Sequence, residues 1–276
     1  MKKMKIKIKN NNFDLKQTFL CGQCFRWKED ESGAFSAIVS GKPIKTVQNG
    51  DEITIESDHT REFLENYFDL ATDYSEYINR FSADPTLKAA CDGSHGIRIL
   101  RQEPWEMLIS FTISQNNNIP RIKQSIELLC SIHGKGHITE DGQLWYEFPE
   151  PEALTNIEWL QGLGLGYRDK YIQKMAENVA AGTIDLQRLA DEEMTDGEIE
   201  SYLKSIYGIG PKVANCIMLF GYHRIDSVPK DTWINKIIKE QYNGKFPVEM
   251  YTGFAGVIQQ YIFNYAANKN LREVEE

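Results

Sequence analysis

The hydrophobic period of the chain changes once, near residue 60. Up to about residue 56, apolar and polar residues alternate in short segments, such as KIKIK at 5–9 and ITIES at 53–57. Further along, apolar residues recur three and four positions apart, as in REFLENYF at 61–68. Alternation is typical of half-buried strands, and the longer period is typical of amphipathic helices. We therefore predict an α+β protein in which an antiparallel sheet precedes a mainly helical region.

The same change of pattern predicts the domains. We expect an N-terminal α+β domain over residues 1–100, with which the C-terminal helices are able to pack, and a helical region over residues 101–276. Clusters of turn-forming residues at 134–142, 148–154 and 162–167 mark loops. Neither a long repeat nor a low-complexity linker interrupts the chain. We expect the helical region to form two lobes.

The charge of the chain is unevenly distributed. Its formal net charge of −9 disfavours a protein that coats nucleic acid through bulk electrostatics. Residues 191–200 contain six acidic side chains and no basic one, whereas residues 201–240 contain six basic and three acidic side chains. A polyanion would be repelled by the first segment and attracted by the second.

The five cysteines stand at positions 21, 24, 91, 130 and 216, and their odd number argues against a disulfide framework. Cys21 and Cys24 form one C-x-x-C motif, but no second pair follows and no histidine stands at zinc-finger spacing. We interpret them as ordinary thiols near a turn, and a redox or metal role is the weaker alternative. No metal site is predicted.

The N-terminal segment, MKKMKIKIKN, alternates lysine with apolar residues and lacks the apolar core of a signal peptide. The longest apolar runs are well short of the roughly 20 residues that a membrane span requires. We expect a soluble intracellular protein, located in the cytoplasm or nucleoid in a prokaryote. The lysines of this segment are expected to solvate an edge strand rather than to bind DNA. They are Lys2, Lys3, Lys5, Lys7 and Lys9.

Residues 200–220 predict a helix, a glycine turn and a second helix. Gly208 and Gly210 are able to adopt backbone angles that are closed to other residues, and Pro211 suits the first turn of a helix. Such a turn points free amides outward, and the positive end of the second helix stands behind them. This arrangement binds a phosphate oxygen. Taken alone, the segment is equally compatible with a turn that only connects two helices.

Lys212 follows this turn directly. A cation on the second residue of a helix faces the positive end of the helix dipole, which costs ~0.3–1 kcal/mol. The same field favours the neutral amine, which is a nucleophile toward a carbon with carbonyl or oxocarbenium character. The carboxylate that such a lysine needs is predicted at Asp231, in SVPKDTW. The alternative role for Asp231 is the N-cap of the next helix, and the two roles are compatible.

In its glycine turn, Lys212 and Asp231, the sequence resembles the helix-hairpin-helix DNA glycosylases, and within them the 8-oxoguanine DNA glycosylase/lyases. The resemblance covers most of the chain and rests on ordered blocks. They are LCGQCFRW at 20–27, the segment at 96–122 that contains SQNNNIPRI, GLGLGYRDKYI at 162–172, LKSIYGIGPKVANCI at 203–217, VPKDTW at 228–233 and FAGVIQQYIF at 254–263. The family implies an N-terminal sheet domain and two mainly helical domains that flank a cleft, with the helix-hairpin-helix motif at about 200–220.

The resemblance implies that Lys212 is the nucleophile at C1′ of the damaged nucleotide and that Asp231 stabilises the sugar cation. It implies that the nucleotide is flipped out of the duplex, that Asn116 fills the vacated space and that Tyr167 is a wedge beside it. Arg121 and Arg168 match the arginines that hold the estranged cytosine; a phosphate contact or a surface ion pair is their alternative role.

The base pocket is also implied by the resemblance. Gly22 matches the residue whose carbonyl oxygen recognises the N7 proton of 8-oxoguanine, and Gln259 matches the amide that recognises the Watson–Crick edge. Phe263 and Cys216 match the two sides of the pocket. Without the resemblance, the local pattern predicts Phe263 in the core and Gln259 at the surface.

Two positions depart from the family pattern. Thr232 and Trp233 follow Asp231, whereas the family has a histidine two positions after the aspartate. Pro120 stands just before Arg121, which affects the loop that presents this arginine.

We expect a bifunctional glycosylase that excises 8-oxoguanine opposite cytosine through a lysine Schiff base and then nicks the strand by β-elimination. The expected partner is double-stranded DNA that contains oxidised guanine, the protein is expected to be a monomer, and no cofactor is expected. One alternative is a monofunctional glycosylase for alkylated bases that uses Asp231 and water. The other is a helix-hairpin-helix protein that binds DNA without catalysis.

Overall fold

The computed structural model describes residues 4–275, except for residues 10, 11, 82, 83, 139–141, 143, 192 and 247. Its N-terminal part contains a five-stranded antiparallel sheet with the strand order β1-β5-β4-β3-β2. The strands are β1 (Met4–Lys9), β2 (Lys28–Glu29), β3 (Phe35–Val39), β4 (Lys42–Asn49) and β5 (Glu52–Ser57). The alternating segments therefore form the predicted sheet.

Strand β1 lies at the edge of this sheet and pairs only with β5 among the described strands. Two of its lysines pair with glutamates of β5, one with the residue directly opposite in the antiparallel register and one with a diagonal neighbour. The Nζ atom of Lys5 lies 2.6 Å from Glu56, and that of Lys7 lies 2.7 Å from Glu52. Such pairs keep the exposed edge solvated, and the expectation that these lysines do not bind DNA stays a prediction. Two lysines of the segment, at positions 2 and 3, lie outside the described residues.

The remainder of the chain is mainly helical, and the predicted α+β class is confirmed. The helices are α1 (Leu15–Leu20), α2 (Arg61–Tyr67), α3 (Tyr74–Phe81), α4 (Pro85–Ser94), α5 (Pro104–Ile113), α6 (Ile119–His133), α7 (Asp169–Ala180), α8 (Asp196–Ser205), α9 (Pro211–Gly221), α10 (Thr232–Gln241) and α11 (Ala255–Glu275). Residues 136–138, which the sequence predicted as part of a loop, form a short strand, β6 (Gly136–Ile138), that pairs with β7 (Leu144–Tyr146).

The buried apolar side chains form two clusters. One lies on the sheet and includes Phe19 and Trp27, whose rings stack at 3.9 Å. The other unites the helices, and α3 and α4 contribute to it. Helix α11 packs against α4, and the ring of Tyr261 on α11 meets the ring of Phe81 at 5.7 Å. The C-terminal helix thus contacts segments within the first 100 residues, and a domain boundary at residue 100 stays a prediction.

The thiols of the C-x-x-C motif are buried. Burial raises the pKa of Cys21 to about 11 and raises that of Cys24 as well. Because redox exchange and metal binding need a thiolate, both thiols fit the interpretation as structural cysteines. No helix in the described part of the chain is both long enough and apolar enough to cross a membrane.

Candidate active site

Helices α8 and α9 contact each other and are joined by the hairpin turn, which we define as residues 206–210. Gly208 has a φ of +92°, and a Cβ at this position would lie 2.6 Å from the ring of Tyr171. Only glycine therefore fits there. Gly210 is the N-cap of α9, is exposed, and has open space where a Cβ would stand. The N-terminus of α9 is thus accessible to a phosphate.

Lys212 is the second residue of α9 and is half-buried. Its Nζ atom lies 5.5 Å from the centre of the Phe111 ring. Cys216, one helical turn further on, is buried. Burial raises the pKa of the Cys216 thiol, and Lys212 opposes that rise. The amine is therefore held against an aromatic ring and a neutral thiol.

Asp231 is the N-cap of α10, and its Oδ1 atom accepts a hydrogen bond of 2.8 Å from the amide of Ile234. The N-cap interpretation of this residue is confirmed. The carboxylate also adds to the elevation of the Cys216 pKa, so it acts on the same thiol as Lys212. Lys212 and Asp231 thus both influence the pKa of the Cys216 thiol, although most of α9 and a loop separate them in sequence.

The asparagine loop, residues 114–118, connects α5 to α6, and each of its three asparagines has a different partner. Asn117 donates from Nδ2 to the carbonyl of Ile113 at 3.1 Å and so caps the end of α5. Asn118 accepts from the amide of Arg121 at 3.0 Å and caps the start of α6. Asn116 is exposed, has a φ of +46°, and donates to the hydroxyl of Tyr167 at 3.3 Å. The two predicted wedge residues are therefore adjacent.

The two predicted cytosine-binding arginines have different surroundings. Arg168 is buried, and its guanidinium donates to the carbonyl oxygens of Gln115, Asn116 and Leu165. To bind cytosine, the Arg168 guanidinium would have to give up hydrogen bonds to these carbonyl oxygens. Arg121 is exposed in the first turn of α6, where Pro120 also fits. The role of both arginines toward cytosine stays a prediction.

Gly22 and Phe263 contact each other across a large sequence separation. Gly22 has a φ of +83°, and a Cβ there would lie 3.2 Å from the Phe263 ring and 3.7 Å from Ile119. Ile119 directly follows the asparagine loop, so this pair lies beside the predicted wedge. Gln260 fixes the turn by donating from Nε2 to the carbonyl of Cys21.

Gln259 is buried, so the surface position that its local pattern predicted was wrong. The local pattern misleads because α11 is enclosed by other helices over this segment. The Oε1 atom of Gln259 has no hydrogen-bond partner within the described structure. An unpaired buried amide oxygen costs ~1–3 kcal/mol, and such a group is well suited to a ligand that supplies a donor.

Comparison with known proteins decides the family. The family model described as "8-oxoguanine DNA glycosylase, N-terminal domain" matches residues 5–108. The N-glycosylase/DNA lyase of Saccharomyces cerevisiae is 33% identical over 86% of this chain and 70% of its own length. The chain belongs to the 8-oxoguanine DNA glycosylase/lyase family.

Solved structures of 8-oxoguanine glycosylases extend the similarity to nearly the whole chain. The structure of MBOgg1 with a low-affinity DNA ligand has a TM-score of 0.90 and 36% identity, and covers 98% of this chain and 100% of its own. The 8-oxoguanine glycosylase/lyase of Clostridium acetobutylicum, in complex with double-stranded DNA that contains cytosine opposite 8-oxoG, has a TM-score of 0.89 and 33% identity, with 98% of each chain covered.

Two residues of this glycosylase/lyase family member were missed by the sequence analysis. Gln115 donates from Nε2 to the carbonyl of Gly208 at 2.9 Å. Tyr171 packs beneath the same glycine. The spacing of Tyr171 from Tyr167 is one helical turn, which was a usable signal, whereas nothing in the local pattern marks Gln115. The departure at Trp233 concerns a side chain outside the described part of the chain.

Proposed function

We propose that the protein excises 8-oxoguanine from double-stranded DNA with Lys212 as the nucleophile and then cleaves the strand as a lyase. The observation that carries this proposal is the placement of the half-buried Lys212 amine at the start of α9, over the ring of Phe111 and one helical turn before the buried Cys216. A lysine in this position is directed into the protein, where a flipped sugar has to enter. A lysine that served only as a phosphate contact would extend into solvent.

The first chemical step replaces the base. The Lys212 nitrogen forms a bond to C1′, the glycosidic bond breaks, and the base departs with the electron pair and takes up a proton. The nitrogen loses a proton as it bonds. The sugar is cationic in the transition state, and the negative carboxylate of Asp231 stabilises this charge.

The second step cleaves the strand. Ring opening gives a protonated Schiff base between C1′ and Lys212, which makes the C2′ protons acidic. Removal of one C2′ proton expels the 3′ phosphate through cleavage of the C3′–O bond. Water then hydrolyses the imine and releases the lysine.

Access to C1′ requires that the nucleotide leave the duplex. Asn116 and Tyr167 are both exposed and are joined by a hydrogen bond, which suits a pair that enters the vacated space together. The free amides at the hairpin turn would hold a phosphate of the strand at the entrance. Gly22, Phe263, Cys216 and Gln259 would surround the flipped base.

A monofunctional glycosylase that uses Asp231 and water is not favoured. It would give Lys212 no chemical task, and the similar proteins from Saccharomyces cerevisiae and Clostridium acetobutylicum carry lyase in their names. A passive DNA-binding protein is not favoured either, because it would need neither the exposed wedge pair nor an unpaired buried amide.

Borohydride trapping tests the proposal. A duplex with 8-oxoguanine opposite cytosine is expected to give a covalent adduct with the wild-type protein, and Lys212→Gln is expected to give none. Asp231→Asn is expected to slow base release by at least about 100-fold, since it removes the charge that stabilises the sugar cation. Base release by the wild type without any adduct would establish the water mechanism instead. An adduct with Lys212→Gln would place the nucleophile elsewhere.

A further inference from the structure

Three segments that are distant in sequence meet at the hairpin turn. They are the asparagine loop, the turn at 165–168 and the hairpin turn itself. Gln115 joins the first to the third, because its side-chain amide donates to Gly208 at 2.9 Å. Its backbone carbonyl accepts two donors from Arg168, which joins the first to the second. One residue thus holds all three segments.

A ladder of tyrosines makes a second connection between two of these segments, the turn at 165–168 and the hairpin turn. The ring of Tyr171 lies edge-on to that of Tyr167 at 5.8 Å and to that of Tyr207 at 5.0 Å. Its ring also lies against Gly208, where it leaves no room for a Cβ. Tyr167 and Tyr207 are 49% and 59% exposed, whereas Tyr171 is half-buried between them. Tyr171 therefore spaces the two exposed rings.

We propose that Gln115 and Tyr171 are positioning residues that hold the wedge side chains Asn116 and Tyr167 at a set distance from the hairpin turn. This inference rests on the proposed function. Lys212 follows the hairpin turn directly, so the turn places both the phosphate and the nucleophile. A wedge tied to that turn drives the nucleotide toward Lys212 whenever the phosphate is bound. A wedge that is free to shift by about 1 Å would bind DNA but extrude the nucleotide poorly, and such misplacement costs up to ~100-fold in rate.

Two substrates separate this role from a general structural role. Excision of 8-oxoguanine from a paired duplex needs extrusion of a stacked base, whereas cleavage at a preformed abasic site needs none. Gln115→Ala, Gln115→Glu and Tyr171→Ala are expected to lower single-turnover excision by about 10- to 100-fold. Their cleavage of the abasic duplex is expected to stay within about 3-fold of wild type. The glutamate variant keeps the size of Gln115 but loses the donor to Gly208.

Three controls accompany these variants. Tyr171→Phe keeps the ring and is expected to keep most of the excision rate. Gln173→Ala removes another half-buried amide, whose Nε2 atom donates to the carbonyl of Thr155 at 3.2 Å and which has no bond to the hairpin turn within the described structure. This variant is expected to match wild type. A 2-aminopurine base beside the lesion reports unstacking directly, and its fluorescence rise is expected to shrink with Gln115→Glu.

The outcomes are distinct. An equal loss on both substrates would overturn the positioning role and leave a structural or catalytic role. Excision at the wild-type rate by Gln115→Glu and Tyr171→Ala would also overturn the positioning role. A wild-type protein that forms no borohydride adduct with either substrate would overturn the proposed function and this inference with it. If the wild type forms an adduct while the variants lose only excision, both proposals stand.

Discussion

Gln259 and Gln260 are neighbours on α11 with opposite hydrogen-bonding states. Gln260 donates to the carbonyl of Cys21, which ties α11 to the turn that contains Gly22. Gln259 is equally buried, but its Oε1 atom has no partner within the described structure. A folded protein keeps an unsatisfied buried amide oxygen at the expense of stability, and a role in binding a ligand is one explanation for such a group. The two residues therefore make a matched pair for mutation.

We expect Gln259→Leu to leave the free energy of unfolding unchanged or to raise it by about 1 kcal/mol, because it removes a buried amide oxygen that has no partner within the described structure. Excision of 8-oxoguanine is expected to fall by about 10- to 100-fold, since the base would lose a recognition contact. Gln260→Leu is expected to lower the free energy of unfolding by ~1–3 kcal/mol, because it leaves the Cys21 carbonyl unpaired. Urea unfolding and single-turnover excision measure both effects. A large loss of stability in Gln259→Leu would show that this amide is structural.

The hairpin turn works as a unit whose two glycines have different tasks. Gly208 is needed for folding, since its φ of +92° and its contact with Tyr171 exclude a side chain. Gly210 has φ −95° and ψ 174°, which any residue adopts, and open space beside it. Apart from the modest preference for glycine over alanine at an N-cap, the structure gives no folding reason for glycine at 210. Close approach of a ligand to the start of α9 supplies a functional one.

We therefore expect opposite results from two alanine substitutions. Gly208→Ala is expected to lower the free energy of unfolding by more than about 1 kcal/mol, because alanine is strained at positive φ and collides with Tyr171. Gly210→Ala is expected to cost less than ~1 kcal/mol but to weaken binding to duplex DNA by about 3- to 10-fold, or ~0.7–1.4 kcal/mol. Thermal unfolding and fluorescence anisotropy with labelled DNA test this. Unchanged affinity in Gly210→Ala would argue against a phosphate at the hairpin turn.

Asp69 joins distant parts of the whole molecule. It follows α2 and lies buried, 3.4 Å from the Nε2 atom of His223 beyond the end of α9 and 3.1 Å from Arg101. Tyr74 donates to it as well, at 3.0 Å. Burial alone would raise the pKa of Asp69, but the nearby His223, together with Thr72 and Arg101, holds it below its ordinary value. The network therefore needs the ionised carboxylate.

A lowered pKa in the folded state means that this carboxylate stabilises the fold above its ordinary pKa near ~3.9, and that the contribution is lost as the pH falls through the lower folded value. We expect Asp69→Asn to lower the free energy of unfolding by roughly 2–4 kcal/mol at pH 7. Between about pH 5 and pH 2, the free energy of unfolding of the variant is expected to decline less than that of wild type. Asp51→Asn, in the exposed turn after β4, is the matched control and is expected to behave as wild type. Urea unfolding across this pH range tests the prediction, and parallel curves for Asp69→Asn and wild type would contradict it.

The sequence by itself determined the elements and the features that local chemistry controls. Alternation and helical period predicted a sheet followed by helices, because burial on one face imposes the period of each element. The glycines around 208, the cap at Asp231 and the proline at the start of α9 were evident for the same reason, since each depends on nearby backbone.

Only the tertiary structure decided which side chains meet. The contact of Gly22 with Phe263, the burial of Gln259, the engagement of Arg168 with backbone carbonyls and the bond from Gln115 to Gly208 all join segments far apart in the chain. Local pattern carries no information on such contacts, because they depend on how whole helices pack. The resemblance to a family named several of these residues, but the physical partners of each became visible only in the fold.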